Sequence, residues 1–162
     1  MPIALSLVAP IAVAPVILLA LARPGKRPGI LPRLSEGAAF LALALALAGL
    51  VQNALFSSPV VSVLDGPLAL ALRSDLVAAS MASLVGFIGW IVMRYSRTYL
   101  DGEEREGAFH GLMLTALAAV LVFVQAGTLP TMILAAVTVG LALRKLLLFY
   151  PDRAEARRAA TK

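Results

Sequence analysis

One histidine, nine carboxylate side chains and fourteen Lys or Arg residues are the titratable chemistry of this 162-residue chain, which has no cysteine. Such groups hold or pass protons and ions when a membrane surrounds them, because an uncompensated charge there is costly and a proton needs a relay. Three residues are candidates for an ion path or its coupling by their types and places: His110, Arg144 and Lys145. His110 carries the side chain that titrates nearest neutral pH. Asp75 stands two residues after Arg73 and just before a long apolar run. Arg144 and Lys145 lie deepest, toward the end of the last apolar run. Each has a plainer alternative. A lone interfacial His is usually solvated, a carboxylate before a helix is favoured by the positive end of the helix dipole, and Arg or Lys near a helix end anchors it by snorkelling to the interface. Without cysteine there is no disulfide and no thiolate metal site. There is also no phosphate loop, triad or metal-ligand cluster, so no catalytic residue, metal or cofactor is assigned, and the chain is not expected to be an enzyme on its own.

The elements that must position these groups are marked by missing charge. No Asp, Glu, Lys or Arg occurs between Met1 and Arg23, Glu36 and Asp65, Asp75 and Arg94, or Glu106 and Arg144, in a chain that is 60% hydrophobic. A backbone that leaves water must satisfy its own hydrogen bonds, so such runs predict spanning helices. A hydrocarbon core about 30 Å thick needs about 20 apolar residues, and the last gap is long enough for two helices. The predicted spans are Ile3–Leu21, Ala38–Phe56, Leu76–Met93, Ala108–Gln125 and Leu129–Leu148. The fold class is therefore an all-α integral membrane protein of about five helices: residues 1–151 form the transmembrane region and 152–162 a basic cytoplasmic tail.

Basic residues cluster in the first and third connections and after the fifth helix, with only Arg73 in an even-numbered one. Their bias toward the cytoplasmic side predicts an N-terminus outside and a C-terminus in the cytoplasm of a bacterial-type inner membrane. The same distribution argues against nucleic acid as the reason for the net charge of +5. Ala20-Leu21-Ala22 resembles a signal-peptide cleavage site, but the basic cluster follows the apolar run instead of preceding it, which favours an anchor helix.

Several local features refine this outline. Pro10 and Pro15 remove amide donors from helix one. The Leu/Ala alternation of Leu41 to Ala48 has a strand period, which helix propensity and the membrane override. Val60–Leu64 and Leu68–Leu72 flank Asp65-Gly66, the favoured dipeptide of tight hairpins, so a small β-hairpin is expected between helices two and three, weakened by Pro67. Ala79, Ser83 and Gly86 share one face of helix three, and Gly107 with Gly111 repeats the small-residue spacing that lets membrane helices approach closely. Gln125, Thr128, Thr131 and Thr138 are candidates for hydrogen bonds between helices. Trp90, Tyr95, Tyr99 and Tyr150 fit interface aromatics at the cytoplasmic ends.

Arg94-Tyr95-Ser96-Arg97-Thr98-Tyr99-Leu100, followed by an acidic stretch and Phe109, resembles the Tyr-Ser-x-x-Tyr segment of proton-conducting membrane subunits related to respiratory complex I and the multisubunit cation/proton antiporters. Leu72-Arg73-Ser74-Asp75 is similar to the Leu-x-x-Asp found there, and this resemblance implies an ion-entry role for Asp75, the fourth candidate for the ion path. The C-terminal run from Leu141 through Tyr150, with Pro151-Asp152-Arg153 and Arg157-Arg158-Ala159-Ala160, most resembles the membrane subunit of Dab-type inorganic-carbon transporters. That resemblance implies a larger membrane complex, a zinc-containing partner similar to β-carbonic anhydrase, and ion flow coupled to conversion of carbon dioxide to bicarbonate. Ala136-Val137 stands where complex I and antiporter relatives carry Trp-Glu, and Arg144 stands where Dab-type sequences commonly carry His. Family members continue for many more helices, so the sequence corresponds to their N-terminal portion. The expectation is a partial or split membrane subunit for inorganic-carbon accumulation, with a complex I or antiporter subunit, or a non-conducting scaffold, as alternatives.

Overall fold

The computed structural model describes residues 5–22, 29–56, 60–64, 70–100 and 105–148. Its helices are α1 (Leu5–Ala22), α2 (Leu31–Leu55), α3 (Leu76–Tyr99), α4 (Glu106–Val124) and α5 (Leu129–Leu147), with strands β1 (Val60–Leu64) and β2 (Leu70–Arg73) between α2 and α3. All five helices are long and apolar enough to cross a membrane. The chain is thus an all-α membrane protein with one small hairpin.

The helices α2 and α3 exceed the apolar runs that announce them. Pro32 sits in the first turn of α2, where its missing N–H costs nothing and its fixed φ suits a helix. The helix therefore starts at Leu31 rather than Ala38, and carries Arg33 and Glu36 on its surface. At the same end of the pair, α3 continues beyond Met93 to Tyr99 and closes with the Leu100 amide donating to the Ser96 carbonyl. The segment Arg94 to Tyr99 is helical, not a connecting loop.

Packing follows residue size. α2 lies between α1 and α3, α4 closes against α1 and more lightly against α3, and α5 packs on the outside of α4. The core is made of Ala9, Val13, Ala38, Ala39, Ala42, Ala46, Ala82, Met93, Leu114, Leu117 and Leu121, with no member from α5. The Leu/Ala alternation resolves accordingly: Ala42 and Ala46 face inward, while Leu41 and Leu47 face out. Without a hydrophobic drive between helices in lipid, close approach and dispersion do this work. At the tightest places a side chain has no room. A Cβ on Gly49 would fall on the backbone of Ser6, and one on Gly86 would lie 3.1 Å from Leu43 Cα.

The expected hairpin is present between α2 and α3. β1 pairs antiparallel with β2 in a register that joins Val60 to Arg73 and Leu64 to Leu70, with an irregularity between Ser62 and Leu64. The turn expected at Asp65-Gly66 falls in residues 65–69, which lie outside the described residues. The second edge of β2 is covered as well. The Arg73 amide donates to Gln125 O at 2.7 Å and the Gly127 amide to Ala71 O at 2.8 Å, which binds the hairpin to the α4–α5 junction. The expected basic tail at 152–162, Tyr150 and the first basic connection from 23 to 28 lie outside the described residues.

Candidate functional site

Polar side chains gather in two layers, one at the hairpin end of the bundle and one at the opposite, basic end. At the hairpin end, Ser6 and Ser74 share a hydrogen bond of 2.6 Å between their hydroxyls, and both are fully buried. Asn53 Nδ2 donates to Ser74 Oγ at 2.6 Å and to the Asp75 carbonyl at 3.4 Å, joining α1, α2 and the start of α3. Asn53 Oδ1 is buried without a hydrogen-bond partner among the described residues. Asp75 caps α3: its Oδ1 accepts from the Ala78 amide at 2.7 Å and its Oδ2 lies 3.0 Å from Arg73 Nη2. The carboxylate thus answers unpaired amides and the positive end of the helix.

The threonines divide. Thr131 Oγ1 accepts from the Ala71 amide at 3.1 Å and lies 2.8 Å from Thr128 Oγ1, tying β2 to α5. Thr138 turns back to the Leu134 carbonyl of its own helix. Gln125 is buried, with Nε2 donating to Leu121 O at 3.0 Å and Oε1 unbonded among the described residues.

The basic end holds the buried titratable groups. His110 is completely buried, and neither ring nitrogen has a hydrogen-bond partner among the described residues. Its placement replaces the solvated interfacial histidine suggested by its position in sequence. Glu106, one turn earlier on α4 and on the same side of the helix, is 2% exposed. Ser35, in the first turns of α2, is also fully buried with its hydroxyl unbonded among the described residues. Nearby in the fold, Arg97 Nη1 and Glu36 Oε2 form an ion pair between α3 and α2, while Ser96 donates to Val92 O at 2.8 Å.

Between the layers the interior of the described helices is uncharged and mostly apolar, with Ser83 donating to the Ala79 carbonyl of its own helix. Ser35 begins the stripe Ser35, Ala39, Ala42, Ala46, and His110 begins the stripe His110, Leu114, Leu117, Leu121, both at helical spacing and both leading into the core. Fifteen residues separate His110 from Gln125, roughly 22 Å along α4, and none of them is charged. A proton held at one layer has no titratable step at mid-depth on the described helices.

The other candidates are placed as follows. Arg144 and Lys145 occupy the last turn of α5 and are exposed. Ala79, Ser83 and Gly86 are buried on α3. Gly107 and Gly111 are buried on α4, and a Cβ on Gly111 would meet Ala20 and Leu21 at 3.2 Å, where α4 touches the end of α1. Val137 is exposed on α5. Among the described residues no three His, Asp or Glu side chains converge as metal ligands. Sequence reasoning overlooked Glu106 as a buried group and Glu36–Arg97 as an interhelical pair, because charge gaps were read as helix limits. The stripe spacing beginning at Ser35 and at His110 carried the missing signal.

Two comparisons bear on this arrangement. Residues 61–110 match the family model of the N-terminal region of chain 5 of NADH-ubiquinone oxidoreductase, complex I. That span runs from the hairpin through all of α3 to His110. A protein of Halothiobacillus neapolitanus described as a probable inorganic carbon transporter subunit DabB2 is 33% identical over 126 residues, which is 78% of this chain and 23% of that protein. The chain therefore spans less than a quarter of the length of the relative it matches. The chain is thus similar in sequence to the N-terminal region of complex I chain 5 over residues 61–110 and to a probable inorganic carbon transporter subunit over 126 residues, and its five helices are long and apolar enough to cross a membrane.

Proposed function

We propose that this chain is the N-terminal or split portion of a membrane subunit that couples proton movement to inorganic-carbon accumulation, working with a soluble, zinc-containing partner similar to carbonic anhydrase. The observation that carries the reading is the 33% identity over 126 residues to the probable inorganic carbon transporter subunit. The absence of the Trp-Glu pair at Ala136-Val137 supports the same branch over a respiratory one. In this reading the basic end faces the cytoplasm of a bacterial-type inner membrane. His110 is then the candidate titratable group at the cytoplasmic side of the bundle, one turn from the buried Glu106, and the mid-depth relay comes from the rest of the complex. Arg144 and Lys145 set the depth of α5 at the interface. Arg144 lies fifteen residues beyond Leu129, roughly 22 Å along the helix, within snorkelling reach of water. Asp75 holds the opposite end by capping α3.

A second reading, a complex I or cation/proton antiporter subunit, draws on the match of residues 61–110 to chain 5. A third, a non-conducting scaffold, draws on the uncharged interior. Deletion of the gene in its own host separates them. The inorganic-carbon reading expects growth that fails in air and recovers at elevated carbon dioxide. A loss of NADH-quinone activity or of sodium tolerance, with unchanged carbon dioxide dependence, would favour the second reading. No phenotype in any of these would leave the scaffold.

A further inference from the structure

The outer face shared by α2 and α3 carries an aromatic and cationic cluster that neither polar layer uses. Trp90 lies at its centre, with the Phe40 ring of α2 at 5.5 Å and the Phe87 ring at 6.4 Å between centroids. The Arg94 guanidinium carbon stands 5.7 Å from the centroid of the Trp90 ring. Phe40 and Phe87 are 53% and 47% exposed, so the cluster faces outward. The cations of this region are not alike. Arg97 is neutralised by Glu36, whereas Arg94 makes no hydrogen bond or ion pair with the described residues, so its donors point to something else.

Depth settles what faces the cluster. Arg94 is eighteen residues beyond Leu76, roughly 27 Å along α3, so it reaches the headgroup boundary of a hydrocarbon core about 30 Å thick, while Phe87 and Trp90 lie within the acyl region. A guanidinium whose face rests on an indole keeps its edge donors for a planar or tetrahedral oxyanion. Arg33 and Arg94 add positive charge beside the Arg97–Glu36 pair at this end of the two helices, and Asp101, Glu103 and Glu104 follow α3 in the sequence. We infer that the α2–α3 face is a binding site for one anionic phospholipid, with its phosphate on Arg94 and an acyl chain along Trp90, Phe87 and Phe40. Charge complementarity between the Arg94 guanidinium at headgroup depth and a phosphate oxyanion carries this choice of occupant, and the inference does not depend on the proposed transport function.

The test uses the full chain, extracted from membranes in mild detergent and examined by native mass spectrometry after exchange into phosphatidylglycerol or phosphatidylcholine nanodiscs. One phosphatidylglycerol per chain should persist under activation that strips phosphatidylcholine. Arg94→Gln should lower that retention about tenfold, since a charge-assisted hydrogen bond is worth at least that factor, and Arg94→Lys should fall between. Arg73→Gln, at the opposite end, should retain lipid as wild type does, and helical circular dichroism should be unchanged in all three variants. Equal retention of both lipids, or full retention in Arg94→Gln, would overturn the site. Displacement by millimolar inorganic phosphate, or co-purification of a protein that Arg94→Gln releases in place of lipid, would overturn it as well.

Discussion

Burying an imidazole with neither nitrogen bonded costs about 1 to 3 kcal/mol, and His110, at the foot of a leucine stripe on α4, has no hydrogen-bond partner among the described residues. Replacing both the ring and its unmet polar atoms by a hydrocarbon removes that cost. His110→Leu should therefore raise the thermal midpoint of the purified chain, while proton-coupled transport by the assembled complex should fall. A lowered midpoint would mean that the imidazole holds the helices together rather than a proton. Asp75 offers the contrasting case. Its cap to Ala78 and its exposed pair with Arg73 separate by substitution: Asp75→Ala should cost about 1 kcal/mol, whereas Asp75→Asn retains the cap acceptor and loses only an exposed pair, worth less than about 1 kcal/mol. Chemical denaturation in mixed micelles would read both. Asp75 was legible as a cap from its place before an apolar run. The burial of His110 was not, because the count of residues from the start of a span does not tell which way a side chain turns.

At the scale of the elements, the spans were legible because absent charge is a strong signal, but their ends were not. Charged residues end an apolar run without ending a helix: the backbone gains a hydrogen bond for each added residue, and Arg33, Glu36, Arg94 and Arg97 extend into the interface at little cost. The result is an ion pair between α2 and α3 that fixes their register one turn beyond the apolar core. Exchanging its charges, Glu36→Arg with Arg97→Glu, should recover most of the stability that Glu36→Arg alone loses, as measured in a double-mutant cycle. Close approach gives the second prediction here. Gly49→Leu and Gly86→Leu must separate α1 from α2 and α2 from α3, and should sharply reduce the folded yield in membranes, whereas Leu47→Ala, on the lipid-facing side, should be nearly neutral. The hairpin was legible in its strands but not in its register, because β2 is also held by Gln125 and Gly127 far along the chain.

For the whole molecule, the arrangement is a bundle with two polar ends and an uncharged middle, related to a region less than a quarter as long as a probable inorganic carbon transporter subunit. The order of helices around the core could not be read from sequence, since Ala-rich faces occur on several helices and small-residue spacing recurs among them. The uncharged middle has a direct physical consequence. Liposomes holding this chain alone should dissipate an imposed pH gradient no faster than empty liposomes, because no titratable group on the described helices spans the gap between His110 and the hairpin end. The central claim is that the chain works as one part of an inorganic-carbon complex, and purification from its own membranes in mild detergent, with mass spectrometry of everything that travels with it, tests that most directly. The predicted result is a stoichiometric, zinc-containing protein similar to carbonic anhydrase bound to this chain. Recovery of the chain alone, or with NADH-quinone oxidoreductase subunits, would contradict it.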